Sequence, residues 1–430
     1  MTFVETVLDI RNSFNDRVYL GLFFLTFTPS ITFSLFTAEV FPYAFIVSVL
    51  LMFRYSGSHD RNLNVMLDKN ACILAILLFC SSLYGVMNHG LNNSDIIRSV
   101  IAYLNPFLIF FSILNCQYRK VELYHRAIKY VFIVLLVIGF LQVTGLGRFI
   151  YLGSLIEVLI PRGEGDLLGL GRGATLLSSE PSRASLEFLF IALTYRYICL
   201  KLSTKFDLLF DIFVLAFLLL VMRSATGLLY FFIYFFCKRF FLSMVFACLV
   251  SFFITIILMN VEGIEVRALQ VLTMVLNTPL NGIYELFLNV SGFRGISVHS
   301  SYLFGVNNFF GGGVGFWNLS SLSALNESGF DYRNINYFAQ RYNSFVPVRS
   351  TSYGASVMLD MGLIGFVVFI SILLPRLRLF SYSSDSKPLV YLFLFYIFLL
   401  GSIGNPVPWI CVALLIRDSR IKQTGQGNLA

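Results

Sequence analysis

Long apolar runs separated by short basic segments recur along most of the chain, and this pattern constrains the fold more than any other feature. A membrane-spanning helix needs about 20 apolar residues, with tilt and packing permitting somewhat fewer or more. Candidate spans fall near 18–37, 39–53, 71–88, 100–116, 130–146, 184–200, 206–222, 226–237, 240–259 and 354–374. A final apolar stretch, 389–416, is interrupted at 401–408 by glycine, asparagine and proline, either as a turn between two short helices or as one broken helix. Composition agrees, because only 13% of residues are charged. A soluble domain carries about 25%, so this chain cannot cover a water-facing surface of its own size. A disordered chain, a disulfide scaffold and a cytosolic enzyme with a small anchor are thereby excluded. The expected fold is an all-α polytopic membrane protein, residues 1–430 forming a single membrane domain.

Positive charge sets the expected orientation. With a cytoplasmic N-terminus and the last stretch counted as two helices, 20 of the 31 Lys and Arg fall in short cytoplasmic segments. Counting it as one span would put Arg417, Arg420 and Lys422 outside. About twelve helices are therefore expected, with eleven as the alternative, and both termini cytoplasmic. Residues 1–17 are polar and mixed in charge, so the first helix is expected to act as its own insertion signal. The net charge of +8 is read as a topology signal rather than a nucleic-acid surface. The seven cysteines sit in or beside apolar stretches without metal-ligand spacing and read as small apolar residues.

The outer side then receives 11 arginines, including Arg162, Arg172, Arg223, Arg294 and Arg349, and no lysine, while all eight lysines fall inside. An ammonium would serve a solvated surface equally well. A guanidinium is preferred where a planar fork must grip carboxylate or phosphate oxygens bidentately and stay charged at any pH. The competing reading is ordinary ion pairing with outer acids such as Glu157, Glu164, Asp166 and Glu180.

Two outer loops are long. The first, 147–183, contains the glycine-rich run 161–173 and closes with Ser178-Ser-Glu-Pro-Ser-Arg183. That ending reads as a helix start, with Ser or Glu as cap and Pro181 in the first turn. Glu187 would lie about a turn inside the membrane, facing the bundle interior. The second loop, 260–353, begins with amphipathic helices expected over 264–276 and 283–290. His299 and the glycine run 309–317 follow, the latter a backbone able to approach a ligand closely. The aromatic, amide-rich tail 331–352 suits sugar rings, whose faces are apolar and rims polar; a folded lid without sugar contact is the alternative. A transporter would place broken helices and repeated halves at the midplane, and no repeat is visible here.

These residues resemble the Wzy-type polysaccharide polymerases of the O-antigen polymerase/ligase superfamily. The likeness covers the hydropathy plan and an Arg-x10-Gly pattern in each outer loop, Arg162 with Gly173 and Arg294 with Gly305. Ser179-Glu-Pro-Ser182 resembles the Glu-Pro-Ser element of many polymerases, and Arg223-Ser224 is similar to the Ser-Arg turn of the superfamily. Segment 352–365 resembles the helix after the large loop; ligases carry a histidine just before it, where this chain has Arg349.

The resemblance implies inverting transfer, without metal or cofactor, on the periplasmic face of the bacterial inner membrane. A glycan on undecaprenyl pyrophosphate passes to a hydroxyl of a second lipid-linked repeat unit, and the lipid pyrophosphate departs. Expected partners are those lipid-linked donor and acceptor oligosaccharides, membrane lipid and, in some systems, a chain-length-regulating co-polymerase; nucleic acid is not one. Candidates for the pyrophosphate grip are Arg162, Arg172, Arg223, Arg294 and Arg349. Glu180 is the first candidate for the proton acceptor and His299 the second. An O-antigen ligase, or a non-enzymatic flippase or transporter of lipid-linked oligosaccharide, stands as the alternative.

Overall fold

A computed structural model describes residues 3–32, 41–55, 69–90, 93–116, 118–144, 159–160, 173–200, 204–240, 279, 282, 293–334, 345–378 and 387–423. Every regular element among the described residues is a helix. In chain order they are α1 (Phe3–Phe27), α2 (Tyr43–Tyr55), α3 (Lys69–His89), α4 (Asn93–Asn115), α5 (Tyr118–Val143), α6 (Pro181–Tyr195), α7 (Thr204–Ala216) and α8 (Ala225–Lys238). There follow α9 (Phe293–Asn307), α10 (Trp317–Glu327), α11 (Tyr353–Arg378), α12 (Lys387–Phe395) and α13 (Val407–Gln423). The last turns of α6, α7 and α12 widen into π-helix over Arg196–Leu200, Phe217–Met222 and Tyr396–Leu400.

Among the described residues, four stretches are long and apolar enough to cross a membrane: Cys72–His89, Ser94–Asn115, Lys120–Val143 and Tyr353–Leu377. Phe79 is 65% and Met87 85% exposed on α3, bare apolar surface that only lipid can cover. The protein is a helical, multi-pass membrane protein. The expected span 240–259 and the amphipathic helices 264–276 and 283–290 lie outside the described residues.

Boundaries differ from expectation where local chemistry intervenes. α1 starts well before the expected span 18–37 and stops at Phe27. Pro29 is the cause: its ring clashes with a preceding helical turn and pushes Thr28 out of the α region. α2 is as short as the sequence implies, and its exposed N-terminal amide at Phe45 is taken by Asn105 Oδ1 of α4 at 2.7 Å.

The interrupted stretch near the C-terminus folds back on itself. Phe393 of α12 and Trp409 of α13 have ring centroids 5.1 Å apart. On one continuous helix, 16 residues at about 1.5 Å rise would hold them about 24 Å apart. Trp409, fully buried, also meets rings of Phe107, Phe110, Tyr353 and Phe369, so α4, α11, α12 and α13 share one aromatic core.

α11 is broken at Gly362, whose φ of 64° and ψ of −165° are not helical. The break frees the carbonyls of Leu359 and Asp360, which would otherwise accept from residues 363 and 364. The turn between α9 and α10 supplies the missing partners. Gly312 N–H donates to Leu359 O and Gly313 N–H to Asp360 O, both at 2.9 Å, while Ile364 N–H donates to Phe309 O at 3.2 Å. The glycine run 309–317 approaches α11 and α3 closely: a Cβ on Gly313 would stand 2.4 Å from Gly85 Cα.

Candidate functional site

Helix α6 begins with Glu180 as its N-cap residue and Pro181 in the first turn, as the sequence implies. The Glu180 side chain does not cap the helix. It reaches Arg294, at the start of α9, with Nη2 donating to Oε2 at 2.6 Å, and it also accepts from Ser182 Oγ at 3.1 Å. Arg294 Nη1 donates to Ser182 Oγ at 3.4 Å, so one arginine bridges the start of α6 and the start of α9. Burial pushes the Glu180 carboxyl up, but the charge and hydrogen bond of Arg294, with help from Ser182 and Arg183, outweigh it and leave the group below its usual value.

One turn into α6, Ser185 Oγ lies 2.9 Å from Ser224 Oγ, and Ser224 caps α8 by accepting from Gly227 N–H at 3.2 Å. The preceding residue, Arg223, sits exposed in the left-handed region at φ 48°. Its turn is clamped by the segment before α6: Ala174 N–H donates to Val221 O at 2.9 Å, and a Cβ on Gly173 would fall 1.6 Å from Met222 O. Gly173 and Gly305, the glycines of the two Arg-x10-Gly patterns, are both close-packing positions; a Cβ on Gly305 would stand 2.6 Å from Met358 O.

Arg349 enters from the segment before α11. Its Nη2 donates to Asp360 Oδ2 at 3.0 Å, and Tyr103 Oη of α4 donates to the same oxygen at 2.8 Å. The guanidinium lies 5.5 Å from the Tyr103 ring centre and 5.9 Å from that of Trp317. Asp360 is fully buried, and its Oδ1 and the Nε of Arg349 form no hydrogen bond among the described residues. A carboxylate so placed survives only because a cation and a hydroxyl hold it.

Further polar contacts tie α6, the α12–α13 turn and α4 together. Glu187, buried on α6, accepts from Asn405 Nδ2 at 3.0 Å in the α12–α13 turn. The adjacent Gly404 carbonyl accepts from Asn105 Nδ2 at 2.7 Å, two residues along α4 from Tyr103. Glu180, Arg223, Arg294 and Arg349 therefore share one end of the bundle. At the other end, Arg196, Lys238 and Arg239 pair with Asp207 and Asp211 where α6, α7 and α8 meet.

Glu180 and Arg294 are brought into contact; Arg223 and Arg349 occupy separate seats nearby. His299 lies five residues beyond Arg294, about 140° around the helix, edge-on to Phe330 at 6.1 Å. Arg162 and Arg172 lie outside the described residues. Sequence reasoning missed Asp360, Tyr103, Asn105 and Asn405, although an aspartate inside an apolar span is a signal by itself. Among the described residues no three of His, Cys, Asp and Glu converge as metal ligands would. Comparison with protein-family models, curated proteins and solved structures finds no match for this chain.

Proposed function

We propose that the protein is a polysaccharide polymerase of the Wzy type, working on the periplasmic face of the bacterial inner membrane with both termini in the cytoplasm. The observation that carries this reading is the gathering of arginines at one end of the bundle: Arg294 and Arg349 are each held by a carboxylate, and Arg223 stands exposed in a left-handed turn next to the Ser224–Ser185 hydroxyl pair. The lysine-bearing ion pairs stay at the opposite end.

In this reading an acceptor-sugar hydroxyl oxygen attacks the donor's anomeric carbon from the face opposite the lipid diphosphate. The new C–O bond forms as the bond to the diphosphate oxygen breaks, and configuration inverts. The departing diphosphate takes the electron pair, and fixed guanidinium groups stabilise the charge that develops. Arg294 and Arg349, with Arg223, Arg162 and Arg172, supply that grip. The hydroxyl proton goes to a side-chain base, the Glu180 carboxylate first and the His299 imidazole as the second candidate. Glu180 is a weak base while Arg294 holds it, so a diphosphate that draws Arg294 away also frees the carboxylate to accept the proton. Arg349 Nε and Asp360 Oδ1 offer a donor and an acceptor in one ion pair, which suits a sugar hydroxyl.

The surface polysaccharide of a deletion strain tests this reading. A polymerase loss leaves single repeats on the cell surface, and Arg294→Lys and Arg349→Lys, which keep charge and lose the fork, are expected to reproduce that pattern. Full-length polymer left unattached would indicate a ligase. Lipid-linked repeats trapped on the inner face would indicate a transporter.

A further inference from the structure

We infer that the turn joining α9 to α10, residues 308–316, is a re-entrant finger that stands Phe309 and Phe310 in the acyl chains of the leaflet nearer the Glu180–Arg294 end. This inference rests on the fold and is independent of the polymerase reading.

Phe309 and Phe310 are 58% and 60% exposed. Neither is at the tip of a water-borne loop. The Phe310 ring lies 5.7 Å from that of Tyr84, and Phe309 O accepts from Ile364 N–H. Tyr84 and Ile364 belong to the apolar stretches Cys72–His89 and Tyr353–Leu377.

Two helices serve as rulers of depth. Tyr84 is 15 residues from Lys69, the basic start of α3, or about 22 Å at 1.5 Å per residue. Ile364 is 12 residues from Arg376, near the basic end of α11, or about 18 Å. The hydrocarbon core is about 30 Å thick. If the two basic residues mark its far boundary, both rulers put the finger about 8–12 Å inside the near one.

The backbone chemistry fits that depth. Irregular backbone within the hydrocarbon layer is tolerated only where its polar groups are satisfied by protein. Besides the two glycine amides bonded to α11, Val314 N–H donates to Ser81 Oγ at 3.2 Å, and Ser81 Oγ donates to Asp360 O at 2.9 Å. At the base of the finger the side chains of Asn307 and Asn308 donate to the exposed carboxylate of Glu327, which marks where it leaves the polar layer. Leu83 and Met87 on α3 and Val367 on α11, the two helices the finger touches, are exposed as well.

The test is fluorescence of full-length Phe310→Trp and, separately, Phe309→Trp in phosphatidylcholine vesicles, read as the difference from the parent protein. Lipids brominated in the acyl chains are expected to abolish most of the added emission, which should be blue-shifted and insensitive to aqueous iodide. Added emission quenched by iodide and untouched by brominated chains would overturn the inference. Should either tryptophan variant fail to fold, Phe309→Cys labelled with a lipid-depth spin probe gives the same reading: strong relaxation by oxygen supports insertion, and strong relaxation by a water-soluble nickel chelate refutes it.

Discussion

Arg223 holds a left-handed backbone conformation at φ 48°, which costs a non-glycine residue about 1–3 kcal/mol. The surrounding clamp at Gly173, Ala174 and Ser224 maintains it. Stability and function should therefore part here. Arg223→Gly is expected to resist heat in detergent as well as or better than the parent, yet to lose chain extension; Arg223→Gly with full-length polymer would remove Arg223 from the proposed grip. Glu180 gives a pH prediction. Its folded value lies below the ordinary 4.5, so the Glu180–Arg294 contact is present above 4.5 and is lost as pH falls through that lowered value. The pair is largely exposed and adds no more than about 1 kcal/mol, so the readout is local: a nitroxide pair across residues 182 and 297 should hold a constant distance from neutrality to pH 5 and broaden only in stronger acid. The sequence exposed these groups because a charge beside an apolar run is costly and conspicuous. Asp360 escaped because its partners, Arg349 and Tyr103, come from distant segments that only the fold unites.

Helix boundaries were legible wherever a proline or glycine cluster sets them. Pro181 starts α6, and the interruption at 401–408 resolves into a turn between two helices. The break in α11 was not legible, because Gly362 sits among apolar residues with nothing local to oppose helix. Its replacement bonds come from the α9–α10 turn, some 50 residues earlier in the chain. The glycines themselves carry a clear element-scale prediction. Gly305 lets α9 lie directly on the Met358 carbonyl, and overpacking of this kind costs about 1–3 kcal/mol. Gly305→Ala should lower the melting temperature in detergent, whereas Gly21→Ala, with open space around it, should not. Equal melting of the two variants would show that α9 does not rest on α11 in this way.

At the scale of the whole molecule, alternation of basic and apolar segments conveyed a helical membrane protein before any coordinates. Distant segments meet: Ser30 after α1 approaches Ser178 before α6, and Arg417 of α13 donates to Cys116 O after α4. What the sequence could not convey is how separate outer segments converge, since convergence depends on packing between helices far apart in the chain. A topology experiment follows directly. Ser179→Cys should react with a membrane-impermeant maleimide on intact spheroplasts, and Ser419→Cys only after permeabilisation; the reverse pattern would invert the proposed orientation.

The proposed grip of a lipid diphosphate by fixed arginines, while one repeat unit is joined to another, can be tested in vitro. Its most direct measurement uses the purified protein in vesicles, supplied with undecaprenyl-pyrophosphate-linked repeat units extracted from the deletion strain. A ladder of lengthening chains is expected from the parent protein, and single repeats only from Arg294→Lys and Arg349→Lys variants that remain folded. Absence of chain extension by the parent, or undiminished ladders from both variants, would contradict it.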